Sequence, residues 1–358
     1  MWLAEESGDS QRKLEAEELM SKTFWQSPNL RRARMSCGAT LLLSITGFIA
    51  GCKASGTDNH TNTASGATVA SHLAAQPQVP DDGLPAESTG GFDGKLAYGH
   101  VAKQVSFGPR PSGSQAILQV QDYIASQLTS SSCTVDTDSF SADTPAGRLP
   151  MKNIVVKIPG ERQGIILLAT HYDTKRLDNF VGADDSGSST GVMLEMARQL
   201  CGKRGRYAVW IAFFDGEEAV RKEWQDPDNR YGSRQLAAKM GMSGDLKKVQ
   251  AMILADLVGG KALRIKREQN STKALEDLIW GTAKRLGYGE IFIDQTTPVD
   301  DDHLSFLQRG VPSADIIDLE NSAGYWHTPQ DTLDKISAKS LGIVGHVILE
   351  SVKELQTR

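Results

Sequence analysis

Cysteine is scarce in this chain of 358 residues: there are four, Cys37, Cys52, Cys133 and Cys201, and no CxxC pair. That excludes a disulfide scaffold, a zinc ribbon and a redox dithiol, and leaves open whether Cys133 and Cys201 pair. Positive charge is also short, with 39 Lys plus Arg against 44 Asp plus Glu and a formal net charge of -5. No basic surplus remains to hold a phosphate backbone, so nucleic acid is not an expected partner. Also missing are a G-x-S-x-G elbow, a phosphate-binding P-loop, an HExxH helix and any internal repeat. Their absence removes the main sequence signatures of serine hydrolases, P-loop nucleotide enzymes and helical zinc proteases. Disorder throughout is excluded, because hydrophobic residues make up 39% of the chain and most of it can bury a core.

The composition is skewed along the chain. Residues 1–34 are polar and end in the basic cluster Arg31, Arg32 and Arg34, and an apolar stretch follows at residues 41–50. That stretch is too short to span a bilayer of about 30 Å, for which about 20 apolar residues are needed, and it reads instead as a secretion signal. It closes on Ile49-Ala50-Gly51-Cys52, which resembles the lipobox of bacterial lipoproteins. The resemblance implies cleavage before Cys52 and a lipid on that cysteine. Residues 1–51 are then an N-terminal extension and signal peptide, with a start at Met20 or Met35, and the protein is expected in the cell envelope, anchored to a membrane on its extracytoplasmic side. In residues 52–92 the large aliphatics are few, among them Val69, Leu73, Val79 and Leu84, and Ser, Thr, Ala and Gly dominate. Such a segment cannot bury enough apolar area to offset its ordering entropy, and reads as a flexible tether.

Residues 93–358 are expected to form the folded domain. Short apolar runs at 153–158, 164–173, 207–215, 251–257 and 313–319 have the pattern of strands buried on both faces. Runs at 191–200, 232–240, 274–286 and the C-terminal twenty or so residues carry apolar spacing of three and four, which predicts helices. The fold class expected is a single α/β domain with a central, mostly parallel mixed sheet flanked by helices. In such sheets ligands bind beyond the carboxyl ends of the strands.

Those ends are crowded with acids. His171 and Asp173 follow one strand, Asp215, Glu217 and Glu218 a second, Asp256 a third, and Asp315 and Asp318 lie in a fourth. Loops add Asp184 and Asp185, the run Asp300, Asp301 and Asp302 before His303, and His327. Carboxylates gathered around one crevice repel unless a cation or shared protons hold them, and carboxylate plus imidazole is a donor set that suits catalytic zinc. Gly216 breaks the strand before Glu217 and Glu218, so both can face one pocket. One can bind metal while its neighbour moves protons.

Several motifs together also carry a family resemblance. HYDTK (171–175), GADDSGS (182–188), FFDGEEA (213–219), Trp224, YGSRQLAAKM (231–240), ADLVG (255–259), DDHLSFLQRGVP (301–312) and YWHT (325–328) are similar to glutaminyl-peptide cyclotransferases. These are zinc enzymes of the M28 aminopeptidase-like clan. Carried onto this sequence, the resemblance implies one zinc held by Asp185, Glu218 and His327. Glu217 is then the general acid and base, with Asp256 beside it to help raise its pKa, and Asp301 hydrogen-bonds to Asp256. Trp224 and Trp326 would line the pocket for an N-terminal glutaminyl side chain, and the partners expected are peptides or proteins beginning with Gln. An aminopeptidase of the same clan is the alternative; there His171 and Asp256 would bind a second zinc, with Asp185 bridging. The chain departs from the animal cyclases in three places: Asp315 stands where they carry a His, and Thr170 and Thr190 where they carry a disulfide near the metal loop. The remaining histidines, His60, His72, His100, His303 and His346, are expected to be structural or solvated.

Overall fold

The structure is a computed structural model and describes residues 82–358. The expected signal, the lipobox Cys52 and most of the tether lie outside the described residues. Six strands form one sheet in the order β1 (Val135–Thr144), β2 (Gly147–Ile158), β4 (Ala208–Phe214), β3 (Ile165–His171), β5 (Val249–Asp256) and β8 (Ser313–Ile317). Strands β4, β3, β5 and β8 run parallel, while β1 and β2 form an antiparallel hairpin that joins the sheet through β2 and β4. β6 (Ile265–Glu268) and β7 (Phe292–Thr297) make a separate two-stranded parallel sheet.

Both faces of the sheet are covered, and this is why the central strands read as unbroken apolar runs. Ile166, Leu168, Ile211, Phe213, Ile253 and Ala255 point into the larger core. Helices α1 (Gly94–Val105), α2 (Gln115–Ser130), α3 (Gly187–Leu200), α5 (Lys273–Arg285) and α7 (Ala338–Leu355) contribute to it. The alternate residues Leu167, Ala169, Ala212, Phe214, Met252 and Leu254 face a second core under α4 (Tyr231–Ser243), with Phe306 of α6 (His303–Leu307) packed into it. Period-two alternation in the strands thus divides one apolar run between two cores. Helix starts are fixed locally: Asp93 accepts the amides of Lys95 and Leu96, and Ser337 those of Lys339 and Ser340.

The five strands read from apolar runs and the four helices read from spacing are present. Strand β1, VDTDSFSADT, is absent from that reading because as an edge strand it is largely exposed and has no apolar stripe to detect. Residues on the tether side of the boundary at 93 also take part in the fold. Ala86–Thr89 form a 3-10 turn, Phe92 is fully buried, and Ser337 donates a hydrogen bond to Asp82.

Cys133 and Cys201 are joined in a disulfide that ties the segment after α2 to the end of α3, 68 residues away in sequence. Closing a loop of that length removes unfolded-state entropy worth about 4 kcal/mol on the chain-entropy estimate. Replacing both cysteines by serine should therefore lower the thermal midpoint by several degrees and leave kcat within about twofold, since the bridge lies away from the acidic strand ends. Loss of activity at an unchanged midpoint would contradict this.

Candidate active site and metal centre

The parallel strands β3, β4, β5 and β8 end side by side, and each delivers polar residues to the same rim. β3 ends at His171 and turns through Asp173 to Lys175; β4 is followed by Asp215, Gly216, Glu217 and Glu218; β5 ends at Asp256. Gly216 has φ +77°, a left-handed conformation that glycine adopts without penalty, and an added Cβ there would press on Met151 Sδ. The turn it makes allows Glu217 and Glu218 to line one cavity. Their amides both point at the Asp173 carboxylate, at 3.2 and 3.4 Å, so a third acid fixes the bend. Asp185 sits in the loop before α3. Gly182 starts that loop at φ +52°, where a Cβ would collide with the carbonyl oxygen of Asp185.

His327 Nε2 lies 3.0 Å from Glu218 Oε1 and 3.2 Å from Asp185 Oδ2. His171 Nε2 lies 3.3 Å from Asp185 Oδ1 and 3.2 Å from Asp256 Oδ1. Asp185 thus divides its two oxygens between two imidazoles. Donors bound about 2.0–2.2 Å from a tetrahedral zinc stand roughly 3.3–3.6 Å apart, so the spacing of Asp185, Glu218 and His327 is that of a metal-binding set. Within this set Glu218 Oε2 is buried without a hydrogen-bond partner, and the ammonium of Lys175 stands 3.6 Å from it. The residues present fit a divalent ion. The second donor set, His171, Asp185 and Asp256, is equally compact.

The electrostatics show the same need for positive charge. Burial disfavours a charged imidazole at His327, yet the facing Glu218 and Asp185 carboxylates push its pKa up to about 10. His171 is likewise raised well above the usual imidazole range, against its own burial, by Asp256 and Glu217. In turn the two imidazoles draw Asp185 below the ordinary carboxylate range, although burial works the other way. Glu217 is pushed well above its usual pKa by burial first, and then by the carboxylates of Asp301, Glu218 and Asp302. The neighbour that raises Glu217 is therefore Asp301 more than Asp256, a correction to the sequence-based expectation. Asp256 is occupied with His171, and burial carries its own pKa up to about 7.

Glu217, Glu218, Asp185, Asp256, Asp301 and His327 come together around one cavity of about 180 Å³, with Trp224 and Trp326 among its walls. Trp326 stacks on His327 with ring centroids 4.1 Å apart, and Phe180 meets the same imidazole edge-on at 5.8 Å. The expected Asp301–Asp256 hydrogen bond is not formed: Asp301 Oδ1 accepts from the Asp302 amide at 2.5 Å and Oδ2 has no partner, while Asp256 Oδ1 faces His171 Nε2 at 3.2 Å. Burial raises the pKa of both carboxyls. Asp184, adjacent to Asp185, turns away and accepts from the Gly259 amide and the Tyr325 hydroxyl. Asp215 is likewise structural, accepting from Ser112, Gln121, Lys152 and Tyr172. His303 is fully buried against Glu268 at 2.9 Å. Asp315, at the position of the animal cyclases' His, is fully buried with neither oxygen hydrogen-bonded.

Sequence reasoning missed two supports. Asp331 accepts the amides of Asp184 and Asp185, at 2.8 and 3.0 Å, and so holds the metal loop from behind. Its signal was available, since it is a carboxylate four residues after His327. Arg110 is fully buried and donates to the carbonyls of Tyr172, Val181 and Gly182, binding the loop's other side. Nothing local marks an arginine for that role.

Because the Glu218 and Asp185 carboxylates push the pKa of His327 up to about 10 in the metal-free chain, binding a divalent ion at that imidazole must expel a proton. Zinc titrations in buffers of different ionisation enthalpy should show release of at least one proton per ion. His327→Ala should lose bound metal on dialysis, measured by elemental analysis; a variant that retained a full complement would overturn the donor set.

Residues 153–352 match the model of peptidase family M28. The chain is 34% identical over 255 residues to a glutaminyl-peptide cyclotransferase-like protein of Mus musculus, a match covering 62% of this chain and 66% of that protein. Among solved structures, it is similar to a glutaminyl cyclase from an Acidobacteriales bacterium, with 40% identity, a TM-score of 0.71, and 78% of this chain and 99% of that one covered. Glutaminyl cyclase from Porphyromonas gingivalis follows at 32% identity and a TM-score of 0.68, covering 74% of this chain and 99% of that one. With the paired tryptophans and the unshared Glu217 beside a three-donor metal set, these matches place the chain in peptidase family M28, as a member of its glutaminyl cyclase branch.

Proposed function

We propose that this enzyme converts the N-terminal Gln of peptides or proteins to pyroglutamate with release of ammonia, using one zinc ion held by Asp185, Glu218 and His327. The observation that carries the reading is the arrangement of the cavity: Glu217 lies beside the metal donors without belonging to them, between walls that include Trp224 and Trp326. In the reaction a bond forms between the α-amine and the side-chain amide carbon, the carbon–nitrogen bond of that amide breaks, and no water is consumed. Bound zinc supplies a Lewis acid for the amide oxygen. Glu217, ionised, takes a proton from the attacking amine and returns it to the departing nitrogen. A carboxyl with an ordinary pKa would be a poor proton donor at neutral pH, and the burial and acidic neighbours of Glu217 work against that. Asp301 and Asp256, which line the cavity with Glu217, would orient the substrate amine. The two indoles restrict the flexible glutaminyl side chain, so that nucleophile and electrophile of one residue meet without a diffusional step.

A second reading has one observation in its favour. His171, Asp185 and Asp256 offer a complete second donor set, as a di-zinc aminopeptidase would require. Tryptophan walls narrow the cavity around a single side chain, which favours the cyclase. We further propose that the chain is lipid-anchored at Cys52 in the cell envelope. The basic cluster, short apolar run and lipobox-like tetrad support this, and a disulfide suits an oxidising compartment. Among the described residues no helix is long and apolar enough to cross a membrane.

Incubated with a Gln-initiated and a Leu-initiated peptide, the purified enzyme should release ammonia and pyroglutamate from the first and leave the second intact. Free Leu, with two metal ions per chain, would establish the aminopeptidase instead. Glu217→Gln should lower kcat by at least a hundredfold, within the usual contribution of general acid–base catalysis, with metal content unchanged. Near-normal turnover in this variant would remove Glu217 from the proton path.

A further inference from the structure

Two loops contribute to the cavity wall. One follows Glu218 and carries Trp224; the other, residues 298–302, carries Asp300 and Asp301. Each has its own internal support. Asp228 accepts the amides of Val220 and Arg221 and the Tyr231 hydroxyl, closing the first loop on itself. Glu268 accepts the Val299 amide in the second. These bonds shape the loops but do not set one against the other.

Arg230 does. Its backbone is left-handed, at φ 49° and ψ 35°, and its amide donates to the carbonyl oxygen of Glu217 at 2.7 Å. The residue is thus fixed to the turn that presents the proposed proton carrier. Its side chain, 4% exposed, then reaches both loops. Nη2 donates to the two carboxylate oxygens of Asp226 at 2.9 and 3.0 Å, on the Trp224 side. Nη1 lies 2.7 Å from Asp300 Oδ1 and 3.5 Å from the Asp301 carbonyl oxygen, on the other. Among the described residues, no other hydrogen bond or ion pair joins these two segments. We propose that Arg230 is a positioning residue of the substrate pocket, holding Trp224 and Asp301 in a fixed relation to each other.

The charges make this a geometric role more than a stabilising one. Asp226 and Asp300 have side chains 61% and 46% exposed, so on losing the guanidinium they would simply hydrate. These two exposed ion pairs contribute little to stability, and the buried Asp301, whose pKa the guanidinium lowers, would be driven further toward its neutral form. What disappears is the planar fork that meets two carboxylates on separate loops at once. A lysine, a single point charge, can keep only one of those contacts.

The proposal rests on the cyclase reading, and its test separates the two. Steady-state kinetics on a Gln-initiated peptide would compare the whole chain with Arg230→Met, Arg230→Lys, Asp226→Asn and Asp300→Asn. Misplacing the walls by about 1 Å should cost roughly tenfold to a hundredfold in kcat/KM for Arg230→Met, with KM raised and kcat lowered. Asp226→Asn, which frees only the Trp224 side, should raise KM and leave kcat within about twofold. Asp300→Asn should lower kcat and leave KM nearly unchanged, and Arg230→Lys should recover part of the loss. Trypsin cleavage after Arg221 or Lys222, followed by mass spectrometry, is a readout that needs no activity and should quicken in Arg230→Met at an unchanged thermal midpoint. Kinetics within twofold and an unchanged cleavage rate would overturn the proposal, as would equal loss of kcat at constant KM in every variant. If Arg230→Met fails to fold, the opposite KM and kcat effects of the two aspartate variants decide it. A wild-type chain that forms no pyroglutamate would defeat the cyclase reading while cleavage still tests the link.

Discussion

Negative charge packed into a buried crevice is the constraint on which the rest of this structure depends. Strands β3, β4, β5 and β8 end together, and Asp173, Asp185, Glu217, Glu218, Asp256, Asp301, Asp302 and Asp315 are all buried there. Such groups cannot all be ionised without a compensating cation. Two kinds of cation are available, a metal ion in the donor sets and protons on the acids farther in. The raised pKa values of His171 and His327 and the raised carboxyls of Asp256 and Asp302, to about 7 and about 8, express one deficit of positive charge at different points. A metal held by the donor sets would satisfy it where imidazoles contribute, and protons would satisfy it toward Glu217 and Asp301, whose pKa values burial raises. That gradient from ion to proton is what a reaction that moves a proton beside a Lewis acid requires.

The division of labour between adjacent acids follows from where their donors lie. Asp184 and Asp185 differ by one position, yet Asp184 is claimed by Gly259 and Tyr325 and Asp185 by the two histidines. Their amides are both held by Asp331, which fixes which of the two faces the ion. Glu217 and Glu218 are separated in the same way. Glu218 meets His327 and Lys175, while Glu217 has His171 at 3.8 Å and otherwise the acids Asp301, Glu218 and Asp302 around it. The carboxylate with two close cations is the one suited to hold a metal, and the one crowded by acids is the one suited to carry a proton.

Around this centre the supports are of unequal cost. Asp173, Arg110 and Asp331 work through backbone amides and carbonyls in the interior, where an unmet polar group is expensive. The clamp at Arg230 uses half-exposed acids and therefore trades little stability for the relative placement of two loops. Strand ends carry His171 and Asp256, whereas Asp185, Glu217, Glu218 and His327 and the walls Trp224 and Trp326 stand on loops, so it is the buried bonds from Asp173 and Asp331 to the loop amides that keep Glu217, Glu218 and Asp185 in place.

The α/β class, the central strands and the clustering of acids at their carboxyl ends were legible in the sequence, because burial on both faces and helical spacing leave periodic apolar patterns. The donor-type residues that meet at the cavity were legible too, since they recur at the ends of consecutive apolar runs and the motifs around them are long. The edge strand β1 was not, because it buries too little to leave a pattern. Nor were the pairing of Cys133 with Cys201, the burial of Asp315 against His303, the pressure of Asp301 on Glu217 or the reach of Arg230. Each of these depends on residues far apart in the chain being a few ångströms apart in space, and on which of several similar acids meets a cation. The order of residues determined that a cation-hungry crevice would exist; the packing of helices and loops around the sheet decided which acid binds, which moves protons, and which only holds the others in place.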